Sequence, residues 1–501
     1  MIVVTDSHKL LYELGNVARL FFPAEEVSSL PEGEPLPPDQ AAVLCREQGQ
    51  DGRLHLTVEL LLPGQQPRSS AVTLLPEESA GYAMEYGKLL YRILADYTGR
   101  TIDWGVLTGI RPVKLARNLR LGGKTLAQVE RHFVEGFLTT PQKAALCALT
   151  DQIQRPVIES ALPGGYSLYI SIPFCPSRCS YCSFVSHSTE KSLAMIPDYL
   201  DKLCQELEET ARLANQRGMT LQTAYMGGGT PTVLTAPQLE QVLATVRRCF
   251  RFDRCTEFTV EAGRPDTITA DKLEVLRRYG VDRISVNCQT LNDRVLEQIG
   301  RRHTAAQFLE AYQLVRRYDF TAVNVDLIAG LPGDDLASFE ASLQGVLALK
   351  PENITVHSLT VKRAARLAEE KQTILQPGNQ QSQEVAAMVS YSQRQLAACG
   401  YQPYYLYRQK GTVDCLENVG FALPGKSCAY NIFIMDETHT ILSTGGGGVT
   451  KLVAPPSAQQ TRGETEPPIV RLFNYKYPYE YLQRFDTMME KKQAILDFPL
   501  Q

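Results

Sequence analysis

The sequence predicts an α/β protein, a partial (β/α)6 TIM-like barrel carrying an N-terminal α+β domain and a C-terminal extension. The first observation behind this is a rhythm. Short β-rich runs at 167–174, 221–228, 256–262, 283–289, 322–330 and 353–359 alternate with amphipathic stretches at 196–214, 236–250, 270–280 and 336–350. Strands and helices alternating at this length imply a parallel sheet with right-handed crossovers. The second is that polar residues close several of these runs, as expected where ligands collect at the carboxyl ends of barrel strands. The third is a different texture before residue 155. VLCREQGQDGRLHLTVELLLP (43–63) reads as a hairpin around a Gln-Asp-Gly turn, and helical patterns follow at 81–98 and 126–148. The expected regions are 1–155 as an accessory α+β domain, 160–375 as the barrel and 376–501 as a substrate-side domain.

Composition narrows the class. Net charge is −4 over 501 residues, with 44% hydrophobic and 21% charged side chains, an ordinary globular balance that argues against a general nucleic-acid binder. No apolar run is long enough for a membrane span, and MIVVTDSHKL lacks the cationic and apolar segments of a leader. The expected location is the cytoplasm, where the 12 cysteines read as thiols and cluster ligands rather than a disulfide framework. PAEEVSSLPEGEPLPPDQ (23–40) reads as a loop or linker, and the polar, proline- and glycine-interrupted segment 454–469 as a mobile loop.

The chemistry concentrates in YISIPFCPSRCSYCSF (169–184), which sets Cys175, Cys179 and Cys182 after a β-branched run. Four-iron clusters normally take four thiolates, so a tight loop offering three leaves one iron open to a small molecule. The alternatives are a zinc site, with His187 as the local fourth ligand, or three buried thiols. The second run ends in MGGGTPT, whose glycines let the backbone approach a ligand, although such a turn by itself is more often simply tight. The third ends in Glu261, the fourth in Gln289 and the fifth carries Asp326, while IGRRHT, placed on the helix after the fourth strand, offers Arg301. An isolated buried carboxylate usually belongs to a structural ion pair. Four polar groups at one barrel mouth are harder to explain that way, because unpaired burial costs each of them several kcal/mol, on the order of 2–7.

Together, IPFCPSRCSYCSF, GGGTPT, TVEAGRP, RISVNCQTLND, IGRRHT and VDLIAGLPGD resemble the oxygen-independent coproporphyrinogen III oxidase branch of the radical S-adenosylmethionine enzymes, over about residues 165–360. WGVLTGIRPVKLARNL (104–119) and PYYLYRQKGTVDCLENVGFALPGKSCAYN (403–431) resemble the HemZ-type subfamily. The resemblance implies a radical S-adenosylmethionine barrel with a [4Fe-4S] cluster on Cys175, Cys179 and Cys182. It also implies that Gly228, Gly229, Thr230, Glu261, Gln289, Arg301 and Asp326 surround S-adenosylmethionine, with Tyr169 near the cluster. The implied activity begins with one-electron reductive cleavage of the sulfonium to methionine and a 5′-deoxyadenosyl radical. Two propionates of coproporphyrinogen III then each lose a β-hydrogen, carbon dioxide and an electron to become vinyl groups. Implied partners are the tetrapyrrole substrate and a low-potential electron donor such as a flavodoxin or ferredoxin.

Two departures bear on the substrate. Characterised members carry a fourth cysteine where this chain has Phe184, and the related heme chaperones carry HNxxYW where Tyr430–Met435 reads YNIFIM. The competing readings are a heme-binding chaperone-like protein and a radical enzyme that methylates or opens another tetrapyrrole. Arg178, Lys362, Arg363 and Arg366 are the candidate cations for four substrate carboxylates, and VKRAARLAEEK also reads as a solvated helix start.

Overall fold

A computed structural model describes the chain except for residues 6, 23–25, 32, 76–80, 110, 183–187, 361–379, 410–414, 455–468, 500 and 501. It divides into two compact units. One comprises Met1–Leu149, Glu369–Ala386 and Arg408–Glu417, the other Thr150–Ala368, Ala387–Tyr407 and Asn418–Gln501.

The first unit is built on a sheet of β1 (Ile2–Val4), β2 (Ser28–Leu30), β3 (Ala42–Gln50), β4 (Arg53–Leu61) and β5 (Arg68–Leu74), ordered β2-β1-β3-β4-β5. The expected hairpin is β3–β4. Gln50 pairs with Arg53 across Asp51 and Gly52, whose φ values of 52° and 73° suit a two-residue turn that matches strand twist. The amphipathic helix Tyr82–Thr98 buries Tyr86, Leu89, Leu90, Ile93 and Leu94 in a core with Val43, Leu56, Val58 and Leu60. Two expectations need correction. The proline-rich stretch 23–40 contains β2, paired in parallel with β1. The helical stretch 126–148 is two helices, Leu126–Phe137 and Pro141–Glu159, because Leu138 turns left-handed (φ 56°) and Pro141 opens the next helix, where its missing N–H costs nothing.

The second unit carries the barrel strands β6 (Gly165–Ile172), β7 (Thr220–Gly228), β8 (Glu257–Glu261), β9 (Arg283–Ser285), β10 (Ala322–Ala329) and β11 (Asn353–Ser358), each parallel to the next. Their near-continuous burial is what a sheet covered on both faces demands. Helices Ile196–Gln216, Ala236–Cys249, Ala270–Arg278, Ala305–Val315 and Leu336–Ala348 make the crossovers. Thr235 with Gln238 and Thr304 with Gln307 form reciprocal caps that start two of them. IGRRHT lies not on a helix but in the connection between Asp293–Gln298 and Ala305–Val315. The fourth strand is shorter than the expected 283–289, and Gln289 rejoins the sheet through a single bridge to Leu327.

Beyond the barrel, β12 (Gln402–Arg408), β13 (Glu417–Ala422), β14 (Thr440–Thr444), β15 (Val449–Val453) and β16 (Ile469–Phe473) join the same sheet, in the order β12-β13-β11-β10-β9-β8-β7-β6-β14-β15-β16. β13 runs antiparallel to β11, and β14 parallel to β6. Most of 454–469 lies outside the described residues.

Candidate active site

The cysteine loop leaves the end of β6. None of the three thiols is in a disulfide; Cys175 and Cys179 are buried and Cys182 half-buried. The segments after β7 and after the helix Asp293–Gln298 hold the loop, which also closes on itself. Thr230 N–H donates to the Phe174 carbonyl (2.7 Å), Ser180 N–H to that of Ile299 (3.0 Å), and Cys182 N–H to that of Cys179 (3.2 Å). Side chains from outside the loop reach Cys175 and Cys179. The Thr230 hydroxyl lies 3.4 Å from Cys175 Sγ, and Arg264 Nη1 donates to Cys179 Sγ at 3.5 Å. Among the described residues no three His, Cys, Asp or Glu side chains close on a single ion, and His187, the zinc alternative's fourth ligand, lies outside them. Three thiols that each bind a separate iron do not need to converge on one point, so the loop fits a four-iron cluster better than zinc.

The glycines that close β7 do three different things. A Cβ on Gly227 would stand 2.9 Å from the Glu261 carboxyl; Gly228 has φ 108°; a Cβ on Gly229 would stand 2.5 Å from the Phe174 carbonyl. Gly229 thus lets β7 lie against the cysteine loop, donating its N–H to the Ile172 carbonyl at 2.8 Å.

Glu261 accepts a 2.6 Å hydrogen bond from the Tyr225 hydroxyl. Burial, reinforced by the Asp326 charge and opposed by that hydrogen bond, pushes its carboxyl up to about 7. Asp326 accepts from Asn324 Nδ2 (2.7 Å) and faces His357 Nε2 at 3.7 Å. Gln289 is buried with φ 72°, an uncommon conformation for a side-chain-bearing residue, held by its N–H to the Asp326 carbonyl (2.9 Å) and the Ile328 N–H to its own carbonyl (3.0 Å). Glu261, Gln289 and Asp326 are therefore brought together. Arg301 is buried and donates to the carbonyls of Asn287 (2.8 Å) and Gly263 (3.1 Å), two positions from Gln289 and Glu261, and to the Tyr181 hydroxyl (3.3 Å) of the cysteine loop.

Tyr169 stacks on Tyr225 and Tyr430, with centroids 6.1 and 6.0 Å apart, and Tyr225 stacks on Tyr430 at 4.5 Å. Sequence reading missed Tyr225, Tyr430 and Arg264. The period-2 face Thr223, Tyr225, Gly227 was a usable signal for the first. Tyr430 arrives from the helix Ala429–Asp436, far along the chain, and carried none. Arg178 is half-buried in the cysteine loop, while Lys362, Arg363 and Arg366 lie outside the described residues.

A parallel barrel with three thiols beyond its first strand and two carboxylates at its mouth defines a class, and residues 169–345 match the Radical SAM superfamily model. The oxygen-independent coproporphyrinogen-III oxidase-like protein HemZ of Bacillus subtilis is 36% identical over 412 residues, 81% of this chain and 79% of that protein. The heme chaperone HemW of Bacillus subtilis is also 36% identical, over 197 residues, 39% of this chain and 51% of that one. In fold, the chain resembles the coproporphyrinogen III oxidase HemN of Escherichia coli (TM-score 0.53, 24% identity, 67% of this chain and 72% of that one). The chain belongs to the HemN/HemZ family of radical S-adenosylmethionine proteins. Its cofactors are a [4Fe-4S] cluster and S-adenosylmethionine. Among the described residues no helix is long and apolar enough to cross a membrane.

Proposed function

We propose that this protein converts two propionates of coproporphyrinogen III to vinyl groups without oxygen, giving protoporphyrinogen IX. The observation that carries the reading is the reach of the similarity to the HemZ protein: 81% of the chain, well beyond the 169–345 segment matched by the superfamily model. In this reading Cys175, Cys179 and Cys182 hold the cluster, and Gly228, Gly229, Thr230, Glu261, Gln289 and Asp326 line the S-adenosylmethionine site. Arg301 belongs to the same site, with Tyr169 near the cluster. When bound, the two cofactors supply a carbon radical able to remove a hydrogen atom from an unactivated C–H bond.

The chain's own part is binding, orientation and exclusion of water. Glu261, once ionised, accepts hydrogen bonds from an ammonium group, and Tyr225 fixes which way its carboxylate faces. Tyr169, Tyr225 and Tyr430 stack on one another beside Glu261, an aromatic wall compatible with a flat substrate. Cations at the mouth, with Arg178, Lys362, Arg363 and Arg366 as candidates, pair with substrate carboxylates. The electron donor in this reading is a low-potential flavodoxin or ferredoxin.

A second reading, tetrapyrrole binding without turnover, draws on the similarity to HemW. Tyr430 stands where the resemblance to those chaperones leads one to expect histidine, which weakens it. Anaerobic incubation with coproporphyrinogen III, S-adenosylmethionine and a reductant, followed by mass analysis, separates the two. Protoporphyrinogen IX supports the enzyme. Tight heme binding with no decarboxylation under any reductant overturns it.

A further inference from the structure

The Arg264 guanidinium is buried against the cysteine loop, with a relative exposure of 3%. Nη1 donates to Cys179 Sγ (3.5 Å) and to the Ser177 carbonyl (3.4 Å), Nη2 to Ser177 Oγ (2.8 Å), and Nε to Asp266 Oδ1 (3.3 Å). Arg301 braces the same loop through Tyr181, and among the described residues no carboxylate lies within ion-pair distance of it. Two buried cations against one neighbouring carboxylate leave the loop electropositive, a costly arrangement unless an anion completes it. Three thiolates and a cluster that gains an electron are such an anion.

Hydrogen bonds to cluster sulfurs, local charge and solvent exposure set the potential of an iron–sulfur centre. Arg264 contributes to all three, since it donates to a ligand sulfur, carries a permanent charge and shields Cys179 from water. We propose that Arg264 tunes the cluster, stabilising its more negative, reduced state and raising its midpoint potential so that a one-electron donor can load it. This rests on the reading that Cys175, Cys179 and Cys182 hold the cluster.

The test is an anaerobic redox titration of the reconstituted full chain, followed by electron paramagnetic resonance, with iron content measured in parallel. Arg264→Gln removes the charge, and Arg264→Lys keeps it while losing the forked geometry. With iron retained, the reduced-to-oxidised ratio at a fixed poise should fall about tenfold in Arg264→Gln, a midpoint lower by about 59 mV, and less in Arg264→Lys. If the Gln variant alone loses iron, the Lys variant decides: a lowered midpoint supports the proposal and an unchanged one overturns it. Full iron with wild-type midpoints in both variants overturns it, as does loss of iron from both, since Arg264 would then hold the loop without tuning it. A Cys179→Ala protein that keeps a full cluster would refute the ligand assignment instead, a separate failure.

Discussion

At the scale of single residues, Glu261 is the most informative side chain. Its carboxyl is raised from 4.5 to about 7, so between those values the cofactor-free native state holds a proton the unfolded chain has released. Stability therefore falls as pH rises through that window, by about 1–3 kcal/mol for a half-buried group. Glu261→Gln should flatten that part of a denaturant-derived pH–stability curve; an unchanged slope would mean the carboxyl is not raised. If Glu261 meets the amino group of S-adenosylmethionine, wild-type affinity should also rise from pH 6 to 8, whereas the variant's should not. Asp326→Asn should weaken the same binding, read by equilibrium dialysis, by roughly 1.5–3 kcal/mol with the cluster intact. Replacing Cys175, Cys179 or Cys182 with Ala should abolish charge-transfer absorbance and S-adenosylmethionine cleavage together, and Cys204→Ala should keep both.

At the scale of elements, the junction between β7 and the cysteine loop depends on Gly229. A methyl group there meets the Phe174 carbonyl at 2.5 Å, the Phe174 nitrogen at 2.8 Å and the Ile172 carbonyl at 2.9 Å, all backbone atoms that cannot swing aside. Gly229→Ala should cost about 1–3 kcal/mol and lower iron incorporation. Gly49→Ala, where nothing lies within 4 Å, should stay within about 0.5 kcal/mol of wild type. Urea denaturation and iron assay read both. The GGG run was legible as a close approach of backbone, and what Gly229 approaches is the start of the neighbouring cysteine loop.

At the scale of the whole molecule, residues far apart in sequence complete each unit. In the first, Trp104 Nε1 donates to Glu417 Oε2 at 2.7 Å, and Lys143 pairs with the same carboxylate, both ends of the pair being buried. Glu417→Ala removes the buried carboxylate that Trp104 and Lys143 share, and should destabilise the protein by about 3–5 kcal/mol in a denaturant titration. A loss below 1 kcal/mol would mean the unit is not held there. Under the proposed function, a tetracarboxylate substrate paired with cationic side chains should bind more weakly as salt rises. Joint neutralisation of Lys362, Arg363 and Arg366 should raise the Michaelis constant while sparing uncoupled S-adenosylmethionine cleavage.

By itself the sequence determined the barrel's parallel strands, the β3–β4 hairpin and the three-thiol loop, because period, turn chemistry and ligand spacing are local properties of the chain. It also brought out Glu261, Gln289 and Asp326, since each sits at or just beyond the end of a recognisable strand. Tertiary structure decided the rest. Arg301 joins the carbonyls of Gly263 and Asn287, from two different strand ends, to Tyr181 of the cysteine loop. Arg264 finds a sulfur 85 positions away, and Tyr430 joins a stack with Tyr169 and Tyr225 from beyond the last barrel strand. Such contacts depend on how crossovers and added strands fold back over one sheet, and no window of sequence holds both partners.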